Sequence, residues 1–182
     1  MERVLYSIFL GFGVYSIIYV ISFKWLIRSK KALILEIDRI GCYIFAVASL
    51  LYFVFWISKL HLEYTSAPSD YEKYALTKRM FGPYWFGFWT KQALYIVIPQ
   101  IFWIKRIRVN KLLRFTIGLL LLFQIHQIIV VITSQHRDYI TSSLGFPFRA
   151  IIEDWLIGFG YFAFTVGVVY WIARKIKVGV KN

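Results

Sequence analysis

Apolar positions along the chain come in long unbroken runs, separated by short clusters of charge. A bilayer-crossing helix needs about twenty consecutive, predominantly apolar residues. Five runs meet that length: Val4–Leu26, Ile40–Leu60, Tyr84–Ile104, Leu112–Ser134 and Trp155–Ala173. The runs are continuous rather than alternating, which argues against a transmembrane β-barrel. No internal repeat or low-complexity tract stands out. The expected fold is therefore all-α, a single transmembrane domain over 1–182 built as a bundle of about five helices. The first run is followed by Lys24, Arg28, Lys30 and Lys31 with no A-x-A-like site before them. It is expected to stay in place as a permanent helix rather than be removed as a signal peptide.

Composition strengthens this reading. Hydrophobic residues make up 59% of the 182 positions and aromatics 20%, and the mean hydropathy is +0.62. One soluble core of this size could not hide so much apolar surface, which leaves the lipid bilayer as the expected partner. Trp and Tyr gather near the ends of the runs, at the depth where amphipathic rings meet lipid headgroups.

The net charge of +13 changes the picture only through its placement. On one soluble face it would suggest nucleic acid; here it sits in clusters between apolar runs, so nucleic acid is not an expected partner. Lys24, Arg28, Lys30, Lys31 and Arg39 fall in the first connection, Lys105, Arg106, Arg108, Lys111 and Arg114 in the third, and Arg174, Lys175, Lys177 and Lys181 in the tail. These fourteen share one side, against seven on the other (Arg3, Lys59, Lys73, Lys78, Arg79, Arg137 and Arg149). Basic residues favour the cytoplasmic side, so the N-terminus is expected outside and the C-terminus in the cytoplasm of a bacterial cytoplasmic membrane. The outer loops are then His61–Phe81 and Gln135–Asp154, with Pro68 and Pro147. Glu36 and Asp38 precede the second run and read as a solvated helix start, with Arg39 as a neighbour to pair with.

Small residues mark expected packing faces: Ser7, Gly11 and Ser22 beside Tyr15, then Cys42, Ala46 and Ser49, then Gly160 and Gly167. Small side chains let helix backbones approach where lipid supplies no hydrophobic drive. A single cysteine rules out an intrachain disulfide or a Cys-rich metal site within this chain, and Cys42 reads as a small packing residue.

Polar side chains inside the runs carry the chemistry, because a charge at mid-bilayer costs about 2.5–3.5 kcal/mol even on insertion scales. The third run holds Lys91, Gln92, Pro99 and Gln100, the fourth Gln124, His126 and Gln127, and Ser134 to Asp138 follow. At 1.5 Å per residue, Lys91 lies about 10 Å below the outer start of the third helix. By the same rise His126 lies about 12 Å below the outer end of the fourth. Lys91, Gln92, His126 and Gln127 are thus expected at one depth, capped by His136, Arg137 and Asp138. Such a pocket suits a quinol: hydrogen-bond partners at the ring oxygens from Lys91, Gln92, Gln127 and Arg137, a proton acceptor in His126, and His136 and Asp138 to pass the proton outward to water. Against it stand plainer roles: Lys91 snorkelling to the interface, the glutamines bonding a neighbouring helix, and His126 packing. A bis-histidine haem needs two histidines at matching depth, and His126 has none; only His61 with His136, near the surface, could form a pair. No metal or covalently held cofactor is expected, and quinol or quinone is the candidate ligand.

Two stretches add a resemblance. GPYWFGFW (Gly82–Trp89), continued by IVIPQIFWIKRIRVN (Ile96–Asn110), and ITSQHRDYITSS (Ile132–Ser143) together resemble the C-terminal part of the NrfD/PsrC-like quinol-oxidising membrane subunit of bacterial alternative complex III. The P-Q-x-x-W-x-K-x-x-R and T-S-x-H-R-D elements carry it, over about a third of the chain. The resemblance implies a haem-free helical bundle in a respiratory chain, an oxidoreductase subunit that passes electrons to iron–sulfur and haem subunits as partners. The chain would be a half-length relative, with His126 and Gln127 where the family carries an acidic–basic pair. The other expectation is therefore a non-catalytic structural or assembly subunit of a membrane complex.

Overall fold

The fold was read from a computed structural model, which describes residues 2–67, 69–83, 85–123 and 148–179 and, among these, the side chains of all but 23–30, 148–150 and 177–179. Every element among the described residues is helical: α1 Glu2–Thr65, α2 Asp70–Phe81, α3 Trp85–Gln92, α4 Ile98–Gln100, α5 Lys105–Val109, α6 Lys111–Leu122 and α7 Phe148–Gly179. A π-helical stretch, Ala93–Val97, joins α3 to α4, and a 3-10 turn, Ile101–Trp103, follows.

The first two apolar runs are joined by helical backbone. From Lys24 to Ile40 the sequence holds neither Pro nor Gly and is rich in Lys, Arg, Leu, Ile and Ala, so nothing local ends the helix. Yet α1 cannot be straight. A straight helix would place Glu2 and Lys59 about 85 Å apart, whereas their side chains form an ion pair at 3.4 Å. The chain doubles back between two antiparallel limbs, Glu2–Ser22 and Lys31–Thr65, both long and apolar enough to cross a membrane. Within α7, Ile151–Ile176 is the third such segment among the described residues.

The third apolar run is broken for a local reason. Pro99 has no N–H to donate to the preceding turn, and the helix absorbs this with the π stretch before it and the 3-10 turn after it. Groups on the second limb bond the irregular backbone and its side chains. Ser49 Oγ donates to the Ile96 carbonyl at 3.4 Å, while Gln100 Nε2 donates to the Ala46 carbonyl at 3.1 Å and also to Ser49 Oγ. Gln100 is thus a tie between segments.

Ring contacts fix the directions of the segments. Phe12 stacks on Phe45 at 3.9 Å, and Phe102 meets both edge-on. Trp89 meets Trp56, and Tyr95 meets Tyr52, so the third run is antiparallel to the second limb. α6 runs antiparallel to the first limb, with Gly118 against Gly13 and Ser16. α7 runs parallel to the first limb, Gly158 against Ser7 and Gly11, and Phe162 against Tyr15. The aromatic core of Phe9, Phe12, Phe45, Tyr95, Phe102 and Phe162 lies between them.

Several expectations change. The stretch 61–81 is mostly helix, because Ser69 caps α2 by accepting from the Glu72 N–H. The last helix is already formed at Phe148, inside the expected loop 135–154. Cys42, Ala46 and Ser49 are fully buried, as the small-residue face predicts. On α7, however, Gly158 is the residue in close approach. Among the described residues a Cβ on Gly160 or Gly167 would meet nothing within 4 Å, whereas one on Gly11 would sit 2.2 Å from the Gly158 carbonyl oxygen.

Candidate functional site

Two polar centres lie at opposite ends of the bundle. One is where the second limb ends and α3 begins. Lys91 and Gln92 form the last turn of α3, and both line a cavity of about 230 Å³. Its walls include Tyr52, Trp56 and Phe88, and its charged lining is Glu2, Lys59, Glu63 and Arg79 besides Lys91. Glu2 and Lys59 compensate each other across the limbs, with both side chains about half exposed, so screening leaves their pairing worth little. Gln92 is buried, and its Oε1 has no hydrogen-bond partner among the described residues. An unpaired buried acceptor costs about 1–3 kcal/mol, which a ligand carrying an O–H or N–H donor would recover.

Of the predicted site, then, Lys91 and Gln92 are brought together. His126, Gln127, His136, Arg137 and Asp138 lie outside the described residues, as does Gln124. His61 is exposed on the second limb.

The second centre was not anticipated. Asp38 is inside the second limb, not at a solvated start, and its partner is Arg114 rather than the adjacent Arg39. Arg114 Nη2 lies 2.6 Å from Asp38 Oδ1, with the two side chains 1% and 7% exposed. The Tyr15 hydroxyl donates to the same Oδ1 at 3.1 Å. The guanidinium sits over the rings of Tyr19 at 4.3 Å, Tyr15 at 5.3 Å and Phe12 at 5.6 Å, where the negative ring faces attract a cation. Asp38 and Tyr15 face each other from the two antiparallel limbs. Arg114 is one turn into α6, whose first turn is fixed by Asn110 accepting from the Leu113 N–H at 3.2 Å. Arg108 is buried too, its guanidinium 5.2 Å above the Tyr43 ring. Two bases that the charge count placed in a connection are thus interior groups.

The signal for this centre was present in the sequence. Arg114 stands inside LLRFTIGLLLL, three residues into an apolar run, and an ionisable group there demands a partner. Asp38 and Cys42 also share a helical face, with Tyr15 on the facing limb.

No family model matches the chain, and no curated protein or solved structure is significantly similar to it.

Proposed function

We propose that the chain is an integral protein of a bacterial cytoplasmic membrane, with about five spans and the N-terminus outside, and a subunit of a quinol-oxidising respiratory complex. The observation that carries the reading is the cavity at Lys91 and Gln92. A polar headgroup site with aromatic walls lies at the end of the bundle that the basic-residue count assigns to the outer face. In this reading the quinol ring lies against Trp56 and Phe88 and one hydroxyl donates to Gln92 Oε1. Lys91 holds the developing negative charge at the other oxygen. Oxidation releases two protons and two electrons. The protons leave through His126, His136 and Asp138, and the electrons pass to iron–sulfur and haem groups of partner subunits.

Gln92 gives the reading a redox signature. Its acceptor, unpaired among the described residues, needs a donor, which a quinol has and a quinone lacks. Titration of the detergent-solubilised complex with a short-tailed quinol and its quinone tests this. The quinol should bind about five-fold or more tighter, following a penalty of at least about 1 kcal/mol for the unpaired acceptor. Gln92→Leu should remove the preference. Binding of neither form, with the protein folded, would overturn the proposal.

The second reading, a structural or assembly subunit, is favoured by the Asp38–Arg114 pair. That charge is spent on joining the second limb to α6, with Tyr15 of the first limb bonded to it. In that case partners co-purify with the chain, but Gln92→Leu leaves turnover of the complex unchanged.

A further inference from the structure

α2 is a helix that the rest of the protein does not bury. None of its twelve residues is buried, and its anchoring contacts are made near its C-terminal end. There Trp89 Nε1 donates to the Met80 carbonyl at 3.0 Å, and Phe81 packs beside Trp89. Tyr71, Tyr74, Lys78 and Phe81 form one stripe at helical spacing. The three aromatic residues are 77%, 62% and 70% exposed, and Lys78 sits over the Tyr74 ring at 5.8 Å. An aromatic stripe left this exposed calls for a covering surface.

Connectivity says which surface. α2 starts five residues after Thr65, the end of a membrane-length limb, and ends four residues before Trp85 opens the third apolar run. Short connections at both ends thus hold it near the end of the apolar segments. Its amphipathic rings and flanking Lys73, Lys78 and Arg79 match what a bilayer boundary offers, glycerol and acyl-chain edges beside lipid phosphates. We infer that α2 lies flat in the lipid headgroup layer, with Tyr71, Tyr74 and Phe81 turned into the bilayer edge. The opposite side of the helix contributes Leu76 and Arg79 to the cavity at Lys91, so the cavity mouth opens at headgroup depth. The inference rests on the membrane-spanning part of the proposed function and not on the quinol.

Spin labels on introduced cysteines decide the matter, in a Cys42→Ala background with the whole complex in lipid bilayers. Labels at Tyr74→Cys and Phe81→Cys should be open to oxygen and shielded from a water-soluble nickel chelate, several-fold more so than a label at Glu72→Cys. Phe164→Cys, 73% exposed on α7, is the control for membrane insertion. If Phe164→Cys shows the lipid pattern while positions 74 and 81 are open to nickel, α2 stands in water and the inference fails. It fails equally if both positions are closed to oxygen and nickel, since protein rather than lipid then covers the stripe. Nickel access at Phe164→Cys would instead sink the membrane-spanning reading.

Discussion

Replacing Asp38 by Asn removes one charge and almost no volume, and the consequence follows from the surroundings of Arg114. The guanidinium is 1% exposed and its carboxylate partner is 2.6 Å away. Its Nε and Nη1 have no hydrogen-bond partner among the described residues. With the carboxylate neutralised, the ring faces of Tyr15, Tyr19 and Phe12 are what remains among the described residues to compensate the cation, and a desolvated cation–π contact supplies about 2 kcal/mol. Breaking a buried pair on one side costs about 3–5 kcal/mol, which is two to nearly four powers of ten in the folded-to-opened ratio. Cys42 reports the opening directly. It is the sole cysteine and is fully buried, one helical turn from Asp38. Alkylation by a membrane-permeant maleimide should therefore be slow in the parent protein. In Asp38→Asn it should accelerate by at least about a hundred-fold, because labelling follows the opened population when closing is fast. Replacing both partners, Asp38→Leu with Arg114→Met, should restore much of the protection, since an apolar pair leaves no buried charge behind. An Asp38→Asn rate within a factor of two or so of the parent would refute the reasoning, because the pair would then be no more than a solvated contact.

Three further outcomes follow from the packing. Gly11→Ala should lower the thermal midpoint, with an overpacking cost of about 1–3 kcal/mol, because the new Cβ would meet backbone of α7 at Gly158. Gly160→Ala, with no neighbour near its Cβ among the described residues, should be neutral or stabilising by up to about 1 kcal/mol; equal losses in the two melts would contradict the helix pairing. Asn110→Ala should cost about 1 kcal/mol by removing the cap of α6, measurable by denaturant titration. In intact cells, with Cys42→Ala, an impermeant thiol reagent should label Ser69→Cys and not Lys177→Cys. The reverse would overturn the orientation drawn from the basic residues.

The apolar runs were enough to predict helices, because continuous hydrophobicity of that length has few other outcomes. They did not show that α1 stays helical through its reversal, since nothing in Lys24–Ile40 breaks a helix or marks a turn. The irregular third run was legible at Pro99, whose missing N–H has a local consequence. The Asp38–Arg114 pair was hidden because it joins residues 76 positions apart, and local pattern says nothing of such partners. Charge counting hid it further, by treating Arg114 as one more loop base. Of the residues that line the cavity, Lys91 and Gln92 were legible as polar side chains inside an apolar run. They are adjacent on one helix, and their expected depth comes from the rise per residue alone. The walls supplied by Tyr52, Trp56 and Arg79 depend on how the second limb and α2 pack against α3, which depth alone does not give.

The central claim is that the cavity at Lys91 and Gln92 holds a quinol headgroup, and photolabelling of the intact complex tests it most directly. A short-tailed quinol carrying a photoreactive group on its ring would be bound in the dark, illuminated, and mapped by mass spectrometry of the chain. The account predicts adducts on the peptides holding Trp56 and Phe88–Gln92, suppressed by excess unlabelled quinol and weakened in Gln92→Leu. Adducts that fall elsewhere in the chain, or that persist undiminished under competition, would contradict it.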